Sequence, residues 1–138
     1  MADAVTSQTI VDTEKRVVMK FTNLSDGNGE AAVKKVDVSA LTAHPDGTAC
    51  SQVTIDQVWY DIGGMRLAIY FDASTNVAAL VLGGSAAAGN VQGHMDFRSF
   101  GGIKNNAGGG INGDIDLTTN GHTNLDHYTI VLELRKSY

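Results

Sequence analysis

Asp114 and Asp116 stand two residues apart in an alternating stretch. On a strand that spacing puts both carboxylates on one face, about 7 Å apart. A pair at such a separation suits glycoside hydrolysis. Alternating aspartates are also the ordinary wet side of a half-buried strand, and that is the expectation here. Asp26, Asn28 and Glu30, with Asp37 at the twelfth position, resemble part of an EF-hand loop. The sixth position of such a loop requires glycine, but here it is Ala31, and no helical pattern flanks the segment. A polar turn is the expected reading. His94, His122 and His127 could meet Asp96 or Asp126 in space, but they lack the close ligand pairs of zinc sites. No metal or cofactor is expected.

Nucleophilic chemistry finds little footing. Cys50 lies in a Ser/Thr-rich neighbourhood without a helix start or basic cluster, so an inert thiol is expected. Gly83-Gly84-Ser85-Ala86-Ala87 lacks the second glycine of a nucleophile elbow. No phosphate-binding G-x-x-x-x-G-K-[ST] occurs, and Lys104 is misplaced for one. A non-enzymatic protein is the expectation. The aromatic set is small: Trp59, Tyr60, Tyr70, Phe97 and Phe100 carry most of it. Trp59 has the opposite parity to Val58 and Tyr60, so one of these faces is exposed. That keeps a glycan-binding reading open.

The elements that must position these residues are strands. Val17, Met19 and Phe21 alternate with polar or smaller neighbours, as do Met65, Leu67, Ile69 and Phe71. Ile115 and Leu117, then Tyr128, Ile130, Leu132 and Leu134, repeat the pattern. A period of two puts one face on a core and the other in water. In residues 52–61 the parity slips between Val53/Ile55 and Val58/Tyr60, and a bulge near Asp56-Gln57 reconciles them. Residues 77–82 are apolar on both faces, which predicts a buried central strand. Asp61-Ile62-Gly63-Gly64 and Asp72–Asn76 read as turns, so strands 53–60, 65–71 and 77–82 are expected as an antiparallel meander. The one helical segment is short, around Val38–Leu41, and Pro45 follows it. Residues 83–93 and 101–113 are Gly-rich and lack a period.

The expected fold is all-β. It is a single antiparallel β-sandwich or jelly-roll-like barrel of about seven or eight strands with long Gly-rich loops. Residues 1–138 form one domain, with residues 1–10 as an N-terminal arm. Composition agrees. The chain has 138 residues with 43% hydrophobic, 18% charged, 16 Gly and 1 Cys. One cysteine excludes an internal disulfide. Ten basic against fifteen acidic residues give a net charge of −5, which argues against nucleic acid as a partner. The longest apolar run, Val77–Leu82, is too short to span a membrane, and the N-terminus lacks a signal-peptide pattern. Synthesis in the cytoplasm without export is the expectation.

Several segments carry a family likeness: Lys20-Phe21-Thr22-Asn23-Leu24-Ser25-Asp26-Gly27, Lys34-Lys35-Val36-Asp37-Val38-Ser39-Ala40-Leu41, and Met95-Asp96-Phe97-Arg98-Ser99-Phe100-Gly101-Gly102-Ile103. Gly113-Asp114-Ile115, Gly121-His122-Thr123 and Tyr128-Thr129-Ile130-Val131-Leu132 extend it. Together they resemble a group of small β-rich virion structural proteins of tailed bacteriophages, many from aquatic hosts. The likeness runs from about residue 9 to 137, and its motifs are structural. It implies a virion structural protein, and within that class a capsid decoration (cement) protein on the outer face of the major capsid protein shell. Expected partners are the major capsid protein and further copies of this chain, as a homo-oligomer. The alternative is a tail, neck or fibre component, including a glycan-binding host-recognition module. The expected contact surfaces are the arm Ala2–Ile10, which includes Val5, and the loops 83–93 and 98–113. Phe97, Phe100 and Ile103 are candidate anchors there, with Arg98 and Lys104 beside them, because apolar side chains in Gly-rich loops otherwise lack a core. Folding back onto the sandwich is the competing expectation for those three.

Overall fold

The period-two runs are strands in the computed structural model, which describes residues 3–83, 90–121 and 123–138. Among the described residues there are nine: β1 (Ala4–Asp12), β2 (Arg16–Asp26), β3 (Val33–Val36), β4 (Gln52–Gly63), β5 (Arg66–Phe71), β6 (Val77–Gly83), β7 (Asn90–Asp96), β8 (Ile115–Asn120) and β9 (Asn124–Ser137). They make two antiparallel sheets, ordered β1-β2-β9-β4-β7 and β3-β8-β5-β6. The pairs nest: β2 with β9, β3 with β8, β4 with β7, β5 with β6. That nesting is the winding of a jelly roll. It remains an open two-sheet sandwich, not a closed barrel, with β1 added at one edge.

The inner faces are the alternating positions. Val17, Met19 and Phe21 of β2, Val53, Ile55, Val58 and Ile62 of β4, and Ile130, Leu132 and Leu134 of β9 face Leu67, Ile69, Phe71, Ile115 and Leu117 of the second sheet. Burying each large aliphatic side chain contributes about 1.5–3 kcal/mol. The β4 ladder with β9 shifts register between Ile55 and Gln57. Asp56 is the extra residue, so Val53, Ile55, Val58 and Ile62 all reach the core, as the parity slip required. Val38–Ala40 forms a single 3-10 turn, with Asp37 accepting from the Ser39 N–H.

Three expectations fail. Strands β4 and β5 do not form a hairpin: they lie in different sheets, and Ile62–Met65 is the corner between them. Gly64 turns there with φ +79°, and Asp126 stands where its side chain would be. Alternation reveals which face is buried but not which strand lies alongside. Next, β6 is an edge strand, not a central one, and Val81 is 58% exposed. Its β5 partner is on one side only, and nothing covers its outer face among the described residues. Third, residues 90–93, expected in a loop, belong to β7, held by the β4 ladder despite weak strand formers. Residues 84–89 of that expected loop lie outside the described residues.

Polar knots close the sandwich. Glu30, between β2 and β3, is buried. It accepts from Asn23 Nδ2 (2.8 Å) and from Tyr128 Oη (2.5 Å) in the first sheet. It pairs with the buried Lys35 Nζ at 2.5 Å and bonds Thr119 through its backbone in the second sheet. Burial and the Glu30 carboxylate push the Tyr128 phenol well up, so it stays a donor. On β9, the fully buried Lys136 Nζ donates to Asp12 Oδ1 (2.5 Å) and to the carbonyls of Thr13 and Thr42. Burial pushes the Asp12 carboxyl up, but the bonds from Lys136 and Thr42 outweigh it and hold the group below its ordinary range.

Glu30→Ala leaves Lys35 buried without a counter-charge and is expected to cost about 3–5 kcal/mol in chemical denaturation. At the end of the 101–113 loop, Gly113 has φ +86° and a side chain there would overlap the Ser51 carbonyl. Gly113→Ala is therefore expected to lose more than about 1 kcal/mol, whereas Gly108→Ala, in open space, stays near neutral.

Candidate binding surface on the five-stranded sheet

After the Asp56 bulge, the outward residues of β4 are Gln57, Trp59 and Asp61. Register places Trp59 between His94 of β7 and Val131 of β9, and Asp61 between Gln92 and Thr129. The Trp59 and His94 rings lie face to face, 4.8 Å apart and 8° from parallel. Trp59 is 37% exposed, so this stack stands outside the core. A chain of hydrogen bonds holds it. His94 Nε2 meets Gln57 Oε1 at 2.8 Å, and Gln57 Nε2 donates to Glu133 Oε1 at 2.9 Å. Glu133 Oε2 accepts from Arg16 Nε at 3.0 Å. Since Gln57 donates its amide to Glu133, its oxygen is the acceptor, and His94 carries a proton on Nε2. Gln57 and Glu133 are each 7% exposed. The chain crosses β7, β4, β9 and β2, buried at Gln57 and Glu133 and exposed at its two ends, His94 and Arg16.

Beside the stack lies an open depression of about 420 Å³, lined by Trp59, Tyr60, Asp61, Gln92, Gly93, His94, Thr129 and Val131. A side chain on Gly93 would press on the phenol of Tyr60, its cross-strand partner. Sequence reading saw that Trp59 has the opposite parity to Val58 and Tyr60 and that one of these faces is exposed; the structure shows that it is the face of Trp59. Sequence reading missed His94 as the partner of Trp59 and Gln57 as the link, since three strands far apart in the chain bring them together.

The expected contact residues divide. Val5 and Ile10 lie on β1, 46% and 51% exposed. Ala2 lies outside the described residues. The arm segment is thus an edge strand. It is tied down by Asp3, whose carboxylate accepts from Asn23 and Asp26, and by Asp12 at Lys136. Phe97 and Ile103 are corrected: both fold back onto the core, and Ile103 pairs with Ile55 by two backbone bonds. The isolated bridge gives Ile103 a place that its Gly-rich neighbours conceal. Phe100 remains 65% exposed beside Arg98, and Lys104 is exposed. Arg98 grips Asp96 through two side-chain bonds of 2.9 and 2.7 Å, which hold the Asp96 carboxyl down at about 2.

Asp114, Glu30 and Asp26 are engaged in bonds within the fold. Asp114 and Asp116 are buried, not on a wet face as expected. Asp114 accepts from the Val38 N–H (2.9 Å) and pairs with Lys34 Nζ (2.7 Å). Loops 72–76 and 109–112 cover this end of the second sheet through the Ser74–Gly109 and Asn112–Asp72 bonds. Asp26 and Asn28 form a turn, and Glu30 is in the inter-sheet knot. His94 and His127 lie opposite Trp59 and Gly63, four rungs apart on β4, and His122 is outside the described residues. Among the described residues no group of three His, Cys, Asp or Glu could hold a metal ion. Cys50 is buried, and burial pushes its thiol up.

Asp116 lies between Asp72 and Asn76, with Oδ1 lacking a partner among the described residues. Burial first, then the Asp72 charge, pushes its carboxyl up to about 6. An unfolded aspartate titrates near ~3.9. Between the two values the folded chain holds a proton that the unfolded chain has lost, so stability falls as pH rises through that window. Asp116→Asn is expected to remove this fall. In urea titrations the variant gains on the native chain at pH 7, and the difference shrinks towards about pH 4. The depressed carboxyls of Asp12, Asp37 and Asp96 act in the opposite sense, at lower pH.

Set against known protein families, curated proteins and solved structures, the chain finds no match.

Proposed function

We propose that this chain is a non-enzymatic structural protein of a bacteriophage virion, a capsid decoration protein that binds the outer face of the major capsid protein shell and further copies of itself. The observation that carries this reading is β1. It is a nine-residue strand on the rim of the larger sheet, exposed from Ala4 to Ile10 and, among the described residues, bonded on one side only, to β2. The second sheet has one strand fewer and leaves it uncovered. A free, tied-down edge is a ready template for pairing with a strand of a neighbouring protein. Val5 and Ile10 add apolar contacts, and Phe100 offers a second exposed anchor. The likeness to virion structural proteins and the structural employment of Asp114 and Glu30 support the same class. A second reading, a tail, neck or fibre component, draws on the aromatic depression of the larger sheet.

Quantitative mass spectrometry of purified particles tests it. Stoichiometric abundance with the major capsid protein is expected, and a handful of copies per particle overturns the shell location. Replacing Val5 and Ile10 together by Asp is expected to weaken binding to stripped particles by roughly tenfold or more while the sandwich stays folded.

A further inference from the structure

Trp59 is the chain's only tryptophan, and the structure spends it on a surface. Its ring is not merely exposed but fixed. His94 covers one side of it, Gln57 holds His94, and the buried Glu133 with Arg16 holds Gln57. An aromatic pair whose histidine is anchored by hydrogen bonds along the same sheet face is the arrangement of a preorganised recognition site. The free polar groups are next to it. Asp61 and Gln92 face each other across β4 and β7 on the same side of the sheet. Neither side chain has a hydrogen bond among the described residues.

We propose that the depression beside Trp59 binds one neutral pyranose ring of a polysaccharide. A pyranose has an apolar face of C–H bonds and a rim of hydroxyls. The electron-rich face of the indole accepts such C–H groups. The Asp61 carboxylate can accept two hydroxyls, and the Gln92 amide can both give and accept one. Thr129 adds a hydroxyl, and Val131 extends the apolar strip. No lysine or arginine lines the depression. A phosphate or carboxylate ligand would find no counter-charge there and would face Asp61. The volume of about 420 Å³ accommodates a sugar unit. The site is open, so a single copy binds weakly, at roughly millimolar concentration. Many copies arrayed on one particle would make that contact strong by avidity. The site uses a sheet face, whereas shell attachment uses the β1 edge, so the two are separable.

Tryptophan emission of the intact chain reports on Trp59 alone. Titration with the methyl glycosides of glucose, galactose, mannose and N-acetylglucosamine is expected to give a saturable change with at least one, and none with inorganic phosphate. Variants are followed by saturation-transfer NMR. Trp59→Ala is expected to abolish transfer to the sugar, and Trp59→Phe to retain it within several-fold. Gln57→Ala, a positioning change, is expected to weaken binding several-fold and to shift the imidazole nitrogen resonances of His94. Virion binding by Trp59→Ala should be unchanged. The proposal is overturned by the absence of a saturable response to all four glycosides up to about 100 mM. It is equally overturned by undiminished binding in a folded Trp59→Ala chain, or by a response to phosphate alone.

Discussion

A buried carboxylate joins the two halves of this sandwich. Glu30 cannot sit inside without answering its charge, and its partners come from both sheets: Asn23 and Tyr128 from one, Lys35 and Thr119 from the other. Apolar packing alone holds sheets together without fixing how they slide, because the hydrophobic effect has little direction. Directed bonds to a buried charge have a definite geometry, and leaving any partner unanswered is costly. Lys136 performs the same service for the β1–β2 turn, Thr42 and β9. Between these fixed points the alternating strands supply most of the burial.

That frame explains where function can reside. The inner faces are filled, and Asp114 is held beside them by Val38 and Lys34, whereas Asp116 is buried with one carboxylate oxygen unpartnered among the described residues. What remains free is an edge and a face. The β1 edge is held at Asp3 and at Asp12 but unpaired along its outer side. The outer face of β7, β4 and β9 carries an aromatic pair supported from beside it by the buried Gln57 and Glu133. Both are built on hydrogen-bonded strands, an arrangement that limits the entropy lost on binding.

The Gly-rich segments read differently once folded. Ile103 is bonded to Ile55, Gly113 accepts the close approach of Ser51, and Ser74 bonds Gly109. In residues 101–113 the glycines permit tight contact with the body as much as they lengthen a loop. Phe97 follows the same logic: its N–H bonds the bulge carbonyl of Asp56, and its ring completes the core. Phe100, three residues later, has no such place and stays in water.

From sequence alone the all-β class, the inward residues of β2, β4, β5, β8 and β9, the bulge at Asp56 and the opposite parity of Trp59 to Val58 and Tyr60 could be read. All follow from parity, which is a local property of an extended chain. Tertiary structure decided the rest. It put β4 and β5 in different sheets, made β6 an edge, drew residues 90–93 into a strand and buried Asp114 and Asp116. It also brought His94, Gln57 and Glu133 into one chain beside Trp59. Each of these depends on which distant strand lies alongside. Strand pairing is set by nested long-range ladders and by where buried charges can be answered, and neither is written in the spacing of neighbouring residues.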